Sequence, residues 1–142
     1  MERALFPDEY FMKEALKEAQ SAMDMKEVPV GAVIVMQEQI IARAHNMTQQ
    51  LNDVTAHAEM IAITSASNYL GAKYLSGCSL YVSLEPCLMC ASALKWAQLD
   101  RIVYGASDPR EGYSRLGSGI LHNKTRVIPG IMAEEAPALL KQ

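Results

Sequence analysis

Two short stretches hold the residue types that could do chemistry, His57-Ala58-Glu59 and Pro86-Cys87-Leu88-Met89-Cys90. Together they supply one imidazole, two thiols and one carboxyl group. An imidazole and two thiolates make a three-ligand zinc site, which leaves the fourth tetrahedral position open to water. A structural zinc site would close that position with another Cys or His. Glu59, two residues from the histidine, is then available to move protons. Zinc lowers the pKa of water from about 15.7 to about 7. A carboxylate that takes the water proton and hands it to a ring nitrogen makes the adjacent carbon electrophilic. A second transfer lets an amine leave as ammonia. The pattern predicts a hydrolytic zinc enzyme, and deamination of an amidine-like ring carbon is the reaction it suits.

The C-x-x-C pair has a second reading, a thioredoxin-like redox couple with a depressed thiol pKa. That reading leaves His57 and Glu59 without a role. The third cysteine, in Cys78-Ser79-Leu80-Tyr81-Val82, reads as a small buried strand residue and not as a fourth ligand. Three cysteines, two of them in one pair, point to metal binding in a reducing compartment, not to a disulfide framework.

The elements that must position these groups are legible in the periodicity. Asp8 is placed to cap a helix that runs to about Asp24, since Met12, Ala15, Leu16, Ala19 and Met23 recur at helical spacing. Val28 to Val35 is a β-branched run suited to a strand buried on both faces. A turn at Gln37-Glu38-Gln39 returns the chain as Ile40–His45, an antiparallel hairpin. A second helix begins near residues 55–57, with His57 and Glu59 in its first turn, and Gly71 ends it. Leu80–Leu84 reads as a central strand. Pro86 fits the first turn of the next helix, where its missing N–H costs little, and Cys87 and Cys90 share one face of that helix. Its positive amino end favours thiolates, and Trp96 further along reads as packing. Arg101–Gly105 is a further strand, 106–124 a long polar loop, Thr125–Ile128 a last strand. A closing helix from about Met132 must absorb Pro137. Strands alternating with helices favour an α/β sandwich on a mixed sheet.

At 142 residues, half of them hydrophobic and a fifth charged, the chain suits one folded domain spanning 1–142. No apolar run approaches the roughly 20 residues of a membrane span. The start lacks a cationic lead into an apolar segment, so a cytoplasmic protein is expected. Net charge is −3, which does not advertise a nucleic-acid partner. The charge is uneven, however: five basic side chains face two acidic ones between Arg101 and Arg126. That stretch suits phosphates or an ordinary solvated face equally well.

These motifs resemble the zinc-dependent cytidine/deoxycytidylate deaminase superfamily, with its H-x-E…P-C-x-x-C pattern. Within it the chain is similar to the bacterial tRNA-specific adenosine deaminases. The likeness runs through Glu27-Val28-Pro29-Val30-Gly31-Ala32-Val33, Ala44-His45-Asn46, Thr55–Met60, Leu80–Cys90 and Arg101–Ala106. The resemblance implies a three-layer α-β-α sandwich with a central mixed five-stranded sheet. It implies one zinc ion per subunit on His57, Cys87 and Cys90, with Glu59 as the catalytic proton shuttle. Asn46 falls where the family orients the base, and Asp108 where it touches the RNA strand; the residue types alone suit turns at both places. A homodimer is implied, with a tRNA anticodon loop as partner and conversion of adenosine to inosine at the wobble position as the activity.

Three departures stand out. Asp53-Val54-Thr55 replaces the family's usual Asp-Pro-Thr, Pro137 interrupts the terminal helix, and the sequence ends at Lys141-Gln142 without an aromatic and arginine-rich turn. Fewer terminal cations weaken phosphate neutralisation. A deaminase of a free nucleobase or nucleoside (guanine, cytosine or cytidine) is the alternative, and a non-catalytic zinc-stabilised binding module a third.

Overall fold

A computed structural model describes residues 6–135. Its elements are α1 (Asp8–Asp24), β1 (Gly31–Met36), β2 (Gln39–His45), α2 (Ala58–Leu70), β3 (Cys78–Leu84), α3 (Leu88–Ala97), β4 (Arg101–Ala106) and β5 (Arg126–Ile128). A single turn of 3-10 helix at Tyr113–Leu116 interrupts the long loop after β4. The sheet order is β2-β1-β3-β4-β5. Its first three strands pair antiparallel and the last three parallel, the mixed five-stranded sheet implied by the resemblance.

The strand alternation sorts side chains into two cores. Val33 and Val35 of β1, Tyr81 of β3 and Val103 of β4 face α1, against Phe11, Met12 and Ala15. Ala32, Ile34, Leu80, Val82 and Ile102 face the other way, against Ala62 and Ala66 of α2 and Ala91 and Leu94 of α3. One helix thus covers one face and two cover the other, giving three layers. Each fully buried Leu, Ile or Val adds about 1.5–3 kcal/mol.

Small residues set how closely the layers approach. A side chain on Gly31 would overlap the backbone of Ala15, Glu18 and Ala19 in α1. Backbone cannot rotate aside as a side-chain tip can. Gly31→Ala is therefore expected to lose about 3 kcal/mol of stability, readable as a lower urea midpoint. An unchanged midpoint would mean that α1 is not seated on β1 as described.

The local expectations need four corrections. Pro7, not Asp8, precedes the first helical residue. The Asp8 carboxylate instead accepts hydrogen bonds from Tyr81 Oη at 2.7 Å and from Arg101 Nη2 at 2.9 and 3.0 Å, tying α1 to β3 and β4. The first strand starts at Gly31, after Val30 closes a tight turn onto the Val28 carbonyl. Trp96 is 73% exposed, because α3 turns Cys90, Ala91, Leu94 and Ala97 inward and Trp96 outward. The closing helix does not begin at Met132: residues 131–134 form a turn, Met132 has a positive φ of 55°, and Glu135, the last described residue, is the first helical one. Pro137 lies outside the described residues. Gly71 does end α2 in a left-handed conformation (φ 63°), where a glycine pays no steric penalty.

Candidate metal centre and substrate pocket

The two chemistry-bearing stretches meet at one end of the sheet. The carboxyl ends of the parallel strands β3 and β4 open there, and so do the amino ends of α2 and α3. Ligands in open α/β sheets favour such a place. Both helices begin later than their sequences suggest. His57 is the residue before α2 and Cys87 the residue before α3, each with extended backbone angles. An extended residue at a helix cap points its side chain differently from a helical one. Cys87 at the cap and Cys90 in the first turn still converge, because cap and third helical residues face each other. Gly112 pairs with Cys87 across the chain as an isolated antiparallel bridge.

His57 Nδ1 lies 3.7 Å from Cys87 Sγ and 3.5 Å from Cys90 Sγ. All three donor atoms fall within 4.8 Å of one another. The donors are one nitrogen and two sulfurs, the set zinc prefers. The thiols already compete for charge. A hydrogen bond from Cys90 holds the Cys87 thiol well below its ordinary range, while that bond and burial push Cys90 up. The Cys87 sulfur, poised to give up its proton beside an imidazole, fits a bound cation. Cys78 is buried in β3 and stands outside this group.

Glu59 sits in the first turn of α2, 4% exposed. Among the described residues it is not part of the ligand group, yet it lines the same cavity. Burial pushes its carboxyl up to about 7, opposed by its own backbone amide. A carboxyl in that range exchanges protons readily near neutral pH.

The cavity measures about 400 Å³, and its lining includes Val28, Val30, Asn46, Leu84, Glu85 and Asp108 besides His57, Glu59 and Cys87. Its lining includes no lysine or arginine, which suits a neutral ring better than a phosphate. Asn46 is 6% exposed, its Nδ2 lying 3.5 Å from Glu27 and 3.4 Å from Thr48 Oγ1. Asp108 also lines the cavity, and its Oδ1 accepts the amides of Arg110 and Glu111 at 3.1 Å. It is a turn former and a pocket residue at once.

Sequence reasoning missed two buried carboxylates that shape this cavity. Glu27 accepts the amides of Gln49 and Gln50 at 3.1 and 2.8 Å, fixing the loop after Asn46. Glu85 does the same for the loop carrying Asp108. Each stands beside an apolar strand and a proline, a position where an acidic residue is out of pattern, but the pattern names no partner. The basic stretch also divides. Arg101 is bonded to Asp8 at the far end of β4, while Arg110, Arg115, Lys124 and Arg126 are exposed.

Residues 6–106 match the sequence profile of the cytidine and deoxycytidylate deaminase zinc-binding region. The chain belongs to this deaminase family. Zinc is the family's metal, and His57, Cys87 and Cys90 are placed to hold it. A tRNA-specific adenosine deaminase of Agrobacterium fabrum is 44% identical over 138 residues, covering 94% of this chain and 91% of that one. A structure from work on A-to-I editing by tRNA:A34 deaminases at the wobble position of transfer RNA superposes with a TM-score of 0.87. It is 43% identical and covers 92% of this chain and 99% of that one. The guanine deaminase of Bacillus subtilis is 41% identical with a TM-score of 0.69, covering 72% of this chain and 66% of that one. The α-β-α architecture is therefore that of the deaminase family.

Proposed function

We propose that this deaminase converts adenosine to inosine at the wobble position of a tRNA anticodon loop. The observation that carries the reading is likeness along nearly the whole chain to proteins of that activity, joined to a pocket without lysine or arginine beside the metal donors. A base already looped out of a helix costs little to bring into such a pocket.

In this reading His57, Cys87 and Cys90 hold one zinc ion. When bound, zinc supplies a Lewis acid and makes water acidic enough to react at neutral pH. Glu59 takes the water proton, delivers a proton to the ring nitrogen beside the reacting carbon, and protonates the amine that leaves. Its buried position keeps bulk water from competing for those protons. Val28, Val30 and Leu84 hold the ring faces, and Asn46 fixes the ring's edge. Asp108 meets the strand beside the reacting nucleotide, and the exposed Arg110 and Arg115 of the same loop are available to neighbouring phosphates.

The protein works as a homodimer in the cytoplasm. Val54, Tyr69 and Trp96 support the dimer: they are 85%, 68% and 73% exposed, on or beside the two helices of one layer. All three cysteines are free, as a reducing compartment requires. No helix among the described residues is long and apolar enough to cross a membrane.

The test is an inosine assay on an anticodon stem-loop, with free adenosine, guanine and cytidine alongside. Turnover should be largest on the stem-loop, by about a hundredfold or more in kcat/KM, because contacts remote from the reacting base add to transition-state binding. Activity confined to free guanine would favour the second reading, which the likeness to a guanine deaminase supports.

A further inference from the structure

The loop after β4 crosses the mouth of the pocket, and its anchors converge on one side chain. Glu85 follows β3 directly and is 3% exposed. Its Oε1 accepts the Asp108 amide at 3.0 Å. Its Oε2 accepts the Ser114 amide at 2.9 Å and the Ser114 hydroxyl at 2.6 Å. Among the described residues no ion pair reaches it. A buried carboxylate with no cation is costly unless donors meet it. Here three do, and all three come from the loop.

A second observation comes from the opposite side of the contact. A Cβ on Gly112 would lie 2.5 Å from Glu85 Oε1 and 2.5 Å from the Asp108 carbonyl. The Gly112 amide already donates to that carbonyl at 2.9 Å, and the next amide, Tyr113, donates to the Pro86 carbonyl at 3.0 Å. The loop therefore lies flat over Glu85, Pro86 and Cys87 because residue 112 lacks a side chain. Tyr113, 8% exposed, pins the far end into the core. With its amide held by Glu85 and its Oδ1 held by the turn, Asp108 has one carboxylate oxygen left for a substrate.

We infer that Glu85 is a positioning residue for substrate recognition: acting through Asp108, it sets where the 108–114 loop crosses the pocket and so how firmly the nucleotide strand is gripped. The inference rests on the proposed RNA substrate. An acceptor-only carboxylate is what the task needs, since both of its oxygens can receive N–H or O–H donors. A glutamine of the same shape offers one accepting oxygen and turns an NH₂ toward a donor. A bond between a charged acceptor and a backbone amide is then lost, and that amide opens more easily.

The experiment uses the zinc-loaded full chain and its Glu85→Gln and Gly112→Ala variants. Amide hydrogen exchange is followed at Asp108 and Ser114, with β3 and β4 as internal references. Both variants should exchange about tenfold faster at those amides, with the strand amides unmoved. KM for the anticodon stem-loop should rise about tenfold while kcat stays within about twofold, since the reacting groups are untouched. Zinc content should equal that of the parent. Gly112→Ala keeps the carboxylate and displaces the loop, so agreement between the two variants assigns the effect to loop position. Unchanged exchange at Asp108 and Ser114 in Glu85→Gln would overturn the inference. So would a fall in zinc content or kcat at constant KM, which would place Glu85 with the metal centre. A parent protein inert toward the stem-loop would refute the RNA substrate instead, leaving the exchange rates to decide whether Glu85 holds the loop.

Discussion

Glu59→Gln should keep its zinc and its fold and lose turnover by about 10²–10⁴-fold or more. Glu59 stands outside the ligand group, so removing its charge takes no donor from the metal site. The amide matches the carboxyl in shape, and a side chain only 4% exposed leaves little room for water to take its place. An amide cannot carry the proton, and deamination needs that transfer at more than one step. The loss should therefore exceed that of a single missing hydrogen bond. The measurement is kcat on the stem-loop beside zinc content and melting temperature for the same sample. Near-parental turnover would remove Glu59 from the reaction. Loss of zinc along with activity would make it a ligand.

Cys87→Ser should cut zinc affinity by more than about a hundredfold, since removing even an outer partner of a ligand costs about 10–100-fold. A hydroxyl is a poor exchange for a thiolate, being harder and far less acidic. Cys87 is the better of the two cysteines to change. It is half-buried and sits before the helix, whereas Cys90 is fully buried against the core. The variant should therefore fold, bind zinc weakly and recover part of its activity when zinc is added. Competition with a chromogenic chelator reads the affinity. Unchanged affinity would mean that two protein donors suffice and that the third is misassigned. Stripping the parent protein of zinc should abolish turnover reversibly by the same logic.

Both predictions draw on residues that the sequence displays openly. The motif His57-x-Glu59 and the pair Cys87 and Cys90 are chemically conspicuous, and their separation into two helix starts survives an error of two residues in where the helices begin. The sheet was legible for a related reason: β-branched runs such as Val33–Val35 and Ile102–Val103 have few other uses. What escaped was decided by tertiary contact. Asp8 looks like a cap, but Tyr81 and Arg101 claim its carboxylate from across the sheet. Trp96 has the bulk of a core residue and the wrong helical phase. Glu27 and Glu85 answer to backbone amides more than twenty residues away, a partnership no local spacing encodes. Asn46 and Asp108 were singled out only through family resemblance. The structure places both on the pocket wall, where their local surroundings also suit turns.

The proposed chemistry stands on a three-donor metal site with an uncoordinated acid beside it. X-ray absorption at the zinc edge, on the loaded parent and on Glu59→Gln, tests it most directly. Two sulfur scatterers and two lighter ones are expected around each zinc, with identical spectra for the two proteins. A third sulfur in the parent, or a scatterer lost or altered in Glu59→Gln, would contradict it.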